Sequence, residues 1–131
     1  MDCQVASTRV KAIISKIKAL IRNKEVTEEG KSRLDSGWQY GGQKIIAEAA
    51  NLKSEFEKIN GKHVIECKVM HFYKSVDFEN PTGRLILIPV NGDISIIPGG
   101  PMLADSSYYL EDERSLIGDG FDAIFVVLTK E

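Results

Sequence analysis

Few side chains in this 131-residue chain have the type and spacing to do chemistry, and the densest group lies between Lys62 and Phe78. In Val64-Ile65-Glu66-Cys67-Lys68-Val69, Glu66 and Lys68 are two positions apart, so on a strand both project from one face. A carboxylate and an ammonium placed in that way can serve a divalent cation and a phosphate. They can equally form an ordinary solvent-facing ion pair, which is the reading preferred here. His63 and His71 share strand parity but would stand about 27 Å apart on a straight strand, which separates them from any common metal site. His71 is set among Val69, Met70, Phe72 and Tyr73, surroundings that suit a hydrogen-bonded core histidine better than a general base. No Ser/His/Asp or Cys/His arrangement singles out a nucleophile, so no catalytic residue, metal ligand or cofactor is assigned.

The Glu66/Lys68 spacing resembles the strand motif of the PD-(D/E)xK nucleases. That resemblance implies a metal held by Glu66 and a water or phosphate charge steadied by Lys68. The family also uses an aspartate on the preceding strand. Here the nearest candidate, Asp35, is separated from Glu66 by what reads as a full helix. Asp77, further along, has the opposite parity unless a bulge intervenes.

Trp38 and Tyr40 fall in Asp35-Ser-Gly-Trp-Gln-Tyr-Gly-Gly42, a stretch whose three glycines read as a turn or sharp break. Aromatics in such a loop suit a pocket mouth or a contact surface. With Gln43, His71, Tyr73 and Arg84 they make the candidate set for binding a ligand or partner. Gly41-Gly42 has neither P-loop nor dinucleotide-binding spacing and reads as a turn into a helix. Gly99-Gly100-Pro101 reads as the end of a strand. The acidic stretch Asp105 to Asp122 lacks EF-hand spacing and reads as a solvated face.

The elements that must position these residues begin with an amphipathic helix over Ser7 to Asn23. Val10, Ile13, Ile14, Ile17, Leu20 and Ile21 form its apolar stripe, and Ser7 or Thr8 its cap. Its other face is basic, with Arg9, Lys11, Lys16, Lys18 and Arg22, and is read as solvated. A second helix is expected to start at Thr27, followed by a third whose stripe is Ile45, Ile46, Ala49, Leu52, Phe56 and Ile59 and whose stop is Asn60-Gly61. One long or bent strand follows from Lys62 to Phe78. Arg84 to Gly100 is the most strongly specified stretch, with two apolar runs around Asn91-Gly92 predicting a type I′ hairpin with Val90 opposite Asp93. Its alternation puts Leu85, Leu87, Ile94 and Ile96 on one face and Ile86, Ile88, Val90 and Ile97 on the other, so both faces require cover. Ser106 to Leu110 is taken as a strand in preference to a helix, and Phe121 to Leu128 as an interior strand.

The expected architecture is α+β, one domain over residues 1–131, with two or three N-terminal helices packed on a curved antiparallel sheet of about five strands. In element order it is similar to the cystatin-like and nuclear-transport-factor-like folds. The helices cover one sheet face, and the other calls for a second copy of the chain, a partner or a ligand. Bulk composition is that of a globular protein, 43% apolar and 27% charged, with a net charge of −2 that gives no drive toward nucleic acid. Cys3 and Cys67 read as free thiols, and no run approaches the roughly 18 apolar residues of a membrane span. With no leader pattern at the N-terminus, the cytosol is the expected location. A non-enzymatic binding protein, homodimeric because one sheet face lacks cover, is therefore expected to engage a protein or small molecule through that face and the Trp38/Tyr40 segment. A metal-dependent nuclease at Glu66/Lys68, or a pocket enzyme of nuclear-transport-factor-like shape using His71 and a carboxylate, are the alternatives.

Overall fold

The structure is a computed structural model that describes residues 1–29, 36–60 and 63–130. Among the described residues there are two helices and eleven strands in two antiparallel sheets, which replaces the expected helical layer on a five-stranded sheet. In chain order these are β1 (Asp2–Val5), α1 (Thr8–Arg22), β2 (Thr27–Glu29), β3 (Gly37–Gly41), α2 (Gln43–Asn60) and β4 (Val64–Phe72). After them come β5 (Val76–Asp77), β6 (Leu85–Asn91), β7 (Ser95–Ile97), β8 (Gly100–Pro101), β9 (Ser106–Leu110), β10 (Ser115–Ile117) and β11 (Phe121–Leu128). The larger sheet runs β1-β9-β6-β11-β4-β3-β2 and the smaller β5-β10-β7-β8. Within them, β4-β11-β6-β9 and β5-β10-β7-β8 are the two four-stranded halves of a jelly roll, widened by β1 on one side and by β3 and β2 on the other.

Two apolar cores follow from the strand alternation. Val10, Ile13, Ile14 and Ile17 of α1 and Ile45, Leu52 and Phe56 of α2 pack on Ile86, Ile88, Val90, Ile124 and Val126 of the larger sheet. On its opposite face Leu85, Leu87, Phe121, Ala123 and Val127 meet Ile94, Ile96 and Leu116 beneath the smaller sheet. Each fully buried aliphatic side chain contributes about 1.5–3 kcal/mol, so both faces of β6 and β11 are strongly held. Thus the two-faced apolar pattern is real, and the chain itself covers both sides. The smaller sheet occupies the face for which a second copy or partner was expected.

That arrangement removes the predicted hairpin. β6 pairs with β11 and β9, whereas β7 pairs with β10 and β8 in the other sheet. The Asn91-Gly92 pair therefore carries the chain from one sheet to the other. Gly92 has φ of +88°, as a turn there demands, and a Cβ on it would lie 2.9 Å from the Gly120 carbonyl oxygen. The long strand expected after Lys62 is likewise divided, β4 lying in the larger sheet and β5 in the smaller.

The helix expected from Thr27 is absent at its start, where Thr27–Glu29 is the edge strand β2; its continuation over 30–35 lies outside the described residues. The supposed break at Trp38 and Tyr40 is strand β3, whose glycines serve close packing. A Cβ on Gly37 would come within 1.7 Å of the His71 carbonyl oxygen. α1 begins as read, with the Ser7 hydroxyl accepting from the Val10 N–H. In α2 only part of the expected stripe is buried, because Ile46 and Ile59 face outward. The Gly61 stop lies outside the described residues, while Ser106–Leu110 and Phe121–Leu128 are strands.

Candidate functional site

Four adjacent strands place one polar or aromatic residue each in a single cross-strand row. Trp38 of β3 is opposite His71 of β4, His71 opposite Asp122 of β11, and Asp122 opposite Asn91 of β6. Strand alternation turns this row to the helix-side face, where the neighbouring Val69 and Ile124 already belong to the apolar core. Asp122 is 5% exposed, and a carboxylate so buried needs donors. It has three. The Tyr40 hydroxyl donates to Oδ1 at 2.7 Å, His71 Nδ1 lies 2.8 Å from the same oxygen, and Asn91 Nδ2 donates to Oδ2 at 2.9 Å.

Aromatic rings enclose the imidazole. Trp38 stacks on His71 at 4.2 Å between centroids and 22° between planes, while Tyr73 stands edge-on at 5.7 Å. Tyr73 also meets Trp38 edge-on at 5.2 Å. Burial, and then the hydrogen bond to Asp122, push the Tyr40 phenol well above its ordinary range, because ionisation would put a second negative charge beside the carboxylate. The row thus presents a neutral phenol, a fixed carboxylate and an imidazole whose Nδ1 side is committed.

Arg84 lies elsewhere, at a cleft of about 460 Å³ between β1, the start of α1, the end of α2 and the β6–β9 pair. Val10, Phe56, Ile86 and Leu128 supply apolar walls, and Gln4, Arg84, Ser107 and Tyr109 polar ones. Arg84 Nε donates to the Tyr109 hydroxyl at 3.1 Å, and its guanidinium lies 5.9 Å from the centre of that ring. Arg84 Nη1 also reaches the Thr129 carbonyl at 3.5 Å. The Tyr109 oxygen accepts from Arg84, which leaves its own O–H able to donate to an incoming acceptor. Asp2, on β1, is the acidic residue of the lining.

The structure therefore joins Trp38, Tyr40, His71 and Tyr73 in one cluster and puts Arg84 in another place. Gln43 is the first residue of α2 and is exposed. Glu66 and Lys68 do share a face, with Lys68 Nζ 3.2 Å from Glu66 Oε1 and both side chains well exposed. Asp35 lies outside the described residues. His63 pairs with Glu57 at 2.7 Å, away from His71. No group of three or more His, Cys, Asp or Glu suited to a metal ion occurs among the described residues. Sequence reasoning missed Asp122, Asn91 and Tyr109. Asp122 had a signal, since it is the charged residue of the otherwise apolar run FDAIFVVL.

The described chain is thus a helix-covered jelly roll with an aromatic, carboxylate-anchored row and a separate mixed-polarity cleft. No protein-family model matches it, and no curated protein matches it. Among solved structures, a Pseudomonas putida prolyl-4-hydroxylase is similar at a TM-score of 0.47 and 7% identity, over 99% of this chain and 92% of that one. A likeness at that level says nothing about activity or ligand.

Proposed function

We propose that this chain is a binding module for a small amphipathic molecule, which the Arg84 cleft takes up without transforming it. The observation that carries this reading is the cleft itself. Its volume of about 460 Å³ falls in the range of small-molecule sites, and its lining divides into an apolar wall and a few convergent polar groups. An apolar body would pack on Phe56, Ile86 and Leu128. A head group rich in acceptors would meet the Arg84 guanidinium and the Tyr109 and Ser107 hydroxyls. Asp2 in the same lining disfavours a polyanion, in keeping with the net charge of −2.

The apolar sheet face first expected to bind is closed by the smaller sheet, and Trp38 and Tyr40 are strand residues, so the reading moves to the cleft. A homodimer, expected on the ground of that open face, would have to use another surface. No described helix is long and apolar enough to cross a membrane. The proposal is tested by titrating isotope-labelled protein with octanoate while following backbone amide resonances. Shifts concentrated at Gln4, Val5, Ser107 and Tyr109 support it; saturation with no shift there rejects it.

A further inference from the structure

We propose that His71 is a reactive imidazole whose Nε2 attacks small activated acyl compounds. None of the residues lining the Arg84 cleft belongs to this row, so the proposal is independent of the binding reading. Asp122 fixes the ring: its side chain is 7% exposed, and Tyr40 and Asn91 hold its two oxygens while Oδ1 faces His71 Nδ1 at 2.8 Å. A carboxylate held in that position keeps the proton on Nδ1 and leaves the lone pair on Nε2. Among the described residues Nε2 has no hydrogen-bond partner. Trp38, stacked at 4.2 Å, stops the ring from turning, and Tyr73, 44% exposed, forms the outer wall. The His71 side chain is 19% exposed, so the imidazole is partly open to solvent. Asp122 lies on the Nδ1 side of the ring, away from Nε2, and among the described residues no group of three or more His, Cys, Asp or Glu gathers here that would suit a metal ion.

p-Nitrophenyl acetate is a small activated ester of this kind. The Nε2 lone pair adds to the carbonyl carbon, a C–N bond forms, and the C–O bond breaks to release p-nitrophenolate. The resulting acetyl-imidazolium, its Nδ1 proton facing Asp122, is attacked at the acyl carbon by water. The C–N bond then breaks, its electron pair returns to Nε2, and acetate leaves with the protons of the water passing to solvent.

The test is nitrophenolate release by the parent and by His71→Gln, His63→Gln and Asp122→Asn. Release is expected to fall by about tenfold or more in His71→Gln and in Asp122→Asn, and to persist in His63→Gln. Asp122 is a positioning residue, so imidazole nitrogen resonances should also show loss of the Nδ1–H tautomer in Asp122→Asn. Parent-level release by a folded His71→Gln protein overturns the proposal. Should that variant fail to fold, limiting diethyl pyrocarbonate on the parent decides: first modification at His71 supports the assignment, and first modification at the more exposed His63 overturns it.

Discussion

Tyr40 and Asp122, 82 residues apart in sequence, meet through a 2.7 Å hydrogen bond in which the phenol donates to a buried carboxylate. Tyr40→Phe leaves that carboxylate one donor short and should cost about 1–3 kcal/mol in urea denaturation. The bond also sets a pH dependence. The folded phenol ionises above its ordinary range, so the unfolded chain loses this proton first as pH rises. The associated stability is fully present below about pH 10 and declines above it. Stability profiles of parent and Tyr40→Phe should converge on the alkaline side; parallel profiles there would contradict the assignment.

Cys67 gives a second pH-sensitive reading. Burial, reinforced by the Glu66 charge, pushes its thiol up to about 12. In native protein near neutral pH it should react slowly with a disulfide reagent, while the exposed Cys3 reacts quickly. Because the folded pKa is raised, its stabilising contribution is present below about pH 8.5 and is lost as pH rises beyond it. Two thiols reacting equally fast in the folded protein would refute this.

Gly92→Val should destabilise the protein by about 1 kcal/mol or more, since a β-branched residue would occupy a positive φ. The cause is the passage between sheets rather than a hairpin. A Cβ there would also meet Phe121 Cβ at 3.0 Å, so strain and crowding coincide. An unchanged melting temperature would contradict this account of the crossing.

Much of this was legible from periodicity, and the failures share a cause. The stripes of α1, the two faces of Leu85 to Val90 and the interior position of Phe121 to Leu128 all follow from alternation within one element. Pairing partners do not. Asn91-Gly92 satisfies the same local rules whether the next strand folds back or crosses to a second sheet, so local rules predict a hairpin where the crossing occurs. At Trp38 and Tyr40 three nearby glycines outweighed an alternating W-x-Y pattern, because nothing local reveals that Gly37 must admit the His71 carbonyl. The row itself depends on register across four strands, which only the folded chain brings together.

Glu66→Ala addresses the nuclease alternative. With Glu66 and Lys68 paired at 3.2 Å on an exposed face, removal of the carboxylate should change stability by less than about 1 kcal/mol. Carefully purified parent protein should leave DNA and RNA intact with magnesium or manganese present. Metal-dependent cleavage abolished by this substitution would restore the nuclease reading.

Uptake of a small amphipathic ligand by the Arg84 cleft is measured by calorimetric titration of octanoate into the parent and into Ser107→Trp. Ser107 lines the cleft and is not part of either core, so an indole there fills the space while leaving the sheets packed. Saturable binding to the parent is expected, with a loss of about tenfold or more in affinity, roughly 1.4 kcal/mol, for the filled variant. Equal affinity of the two proteins, or no heat of binding by the parent at millimolar octanoate, would contradict it.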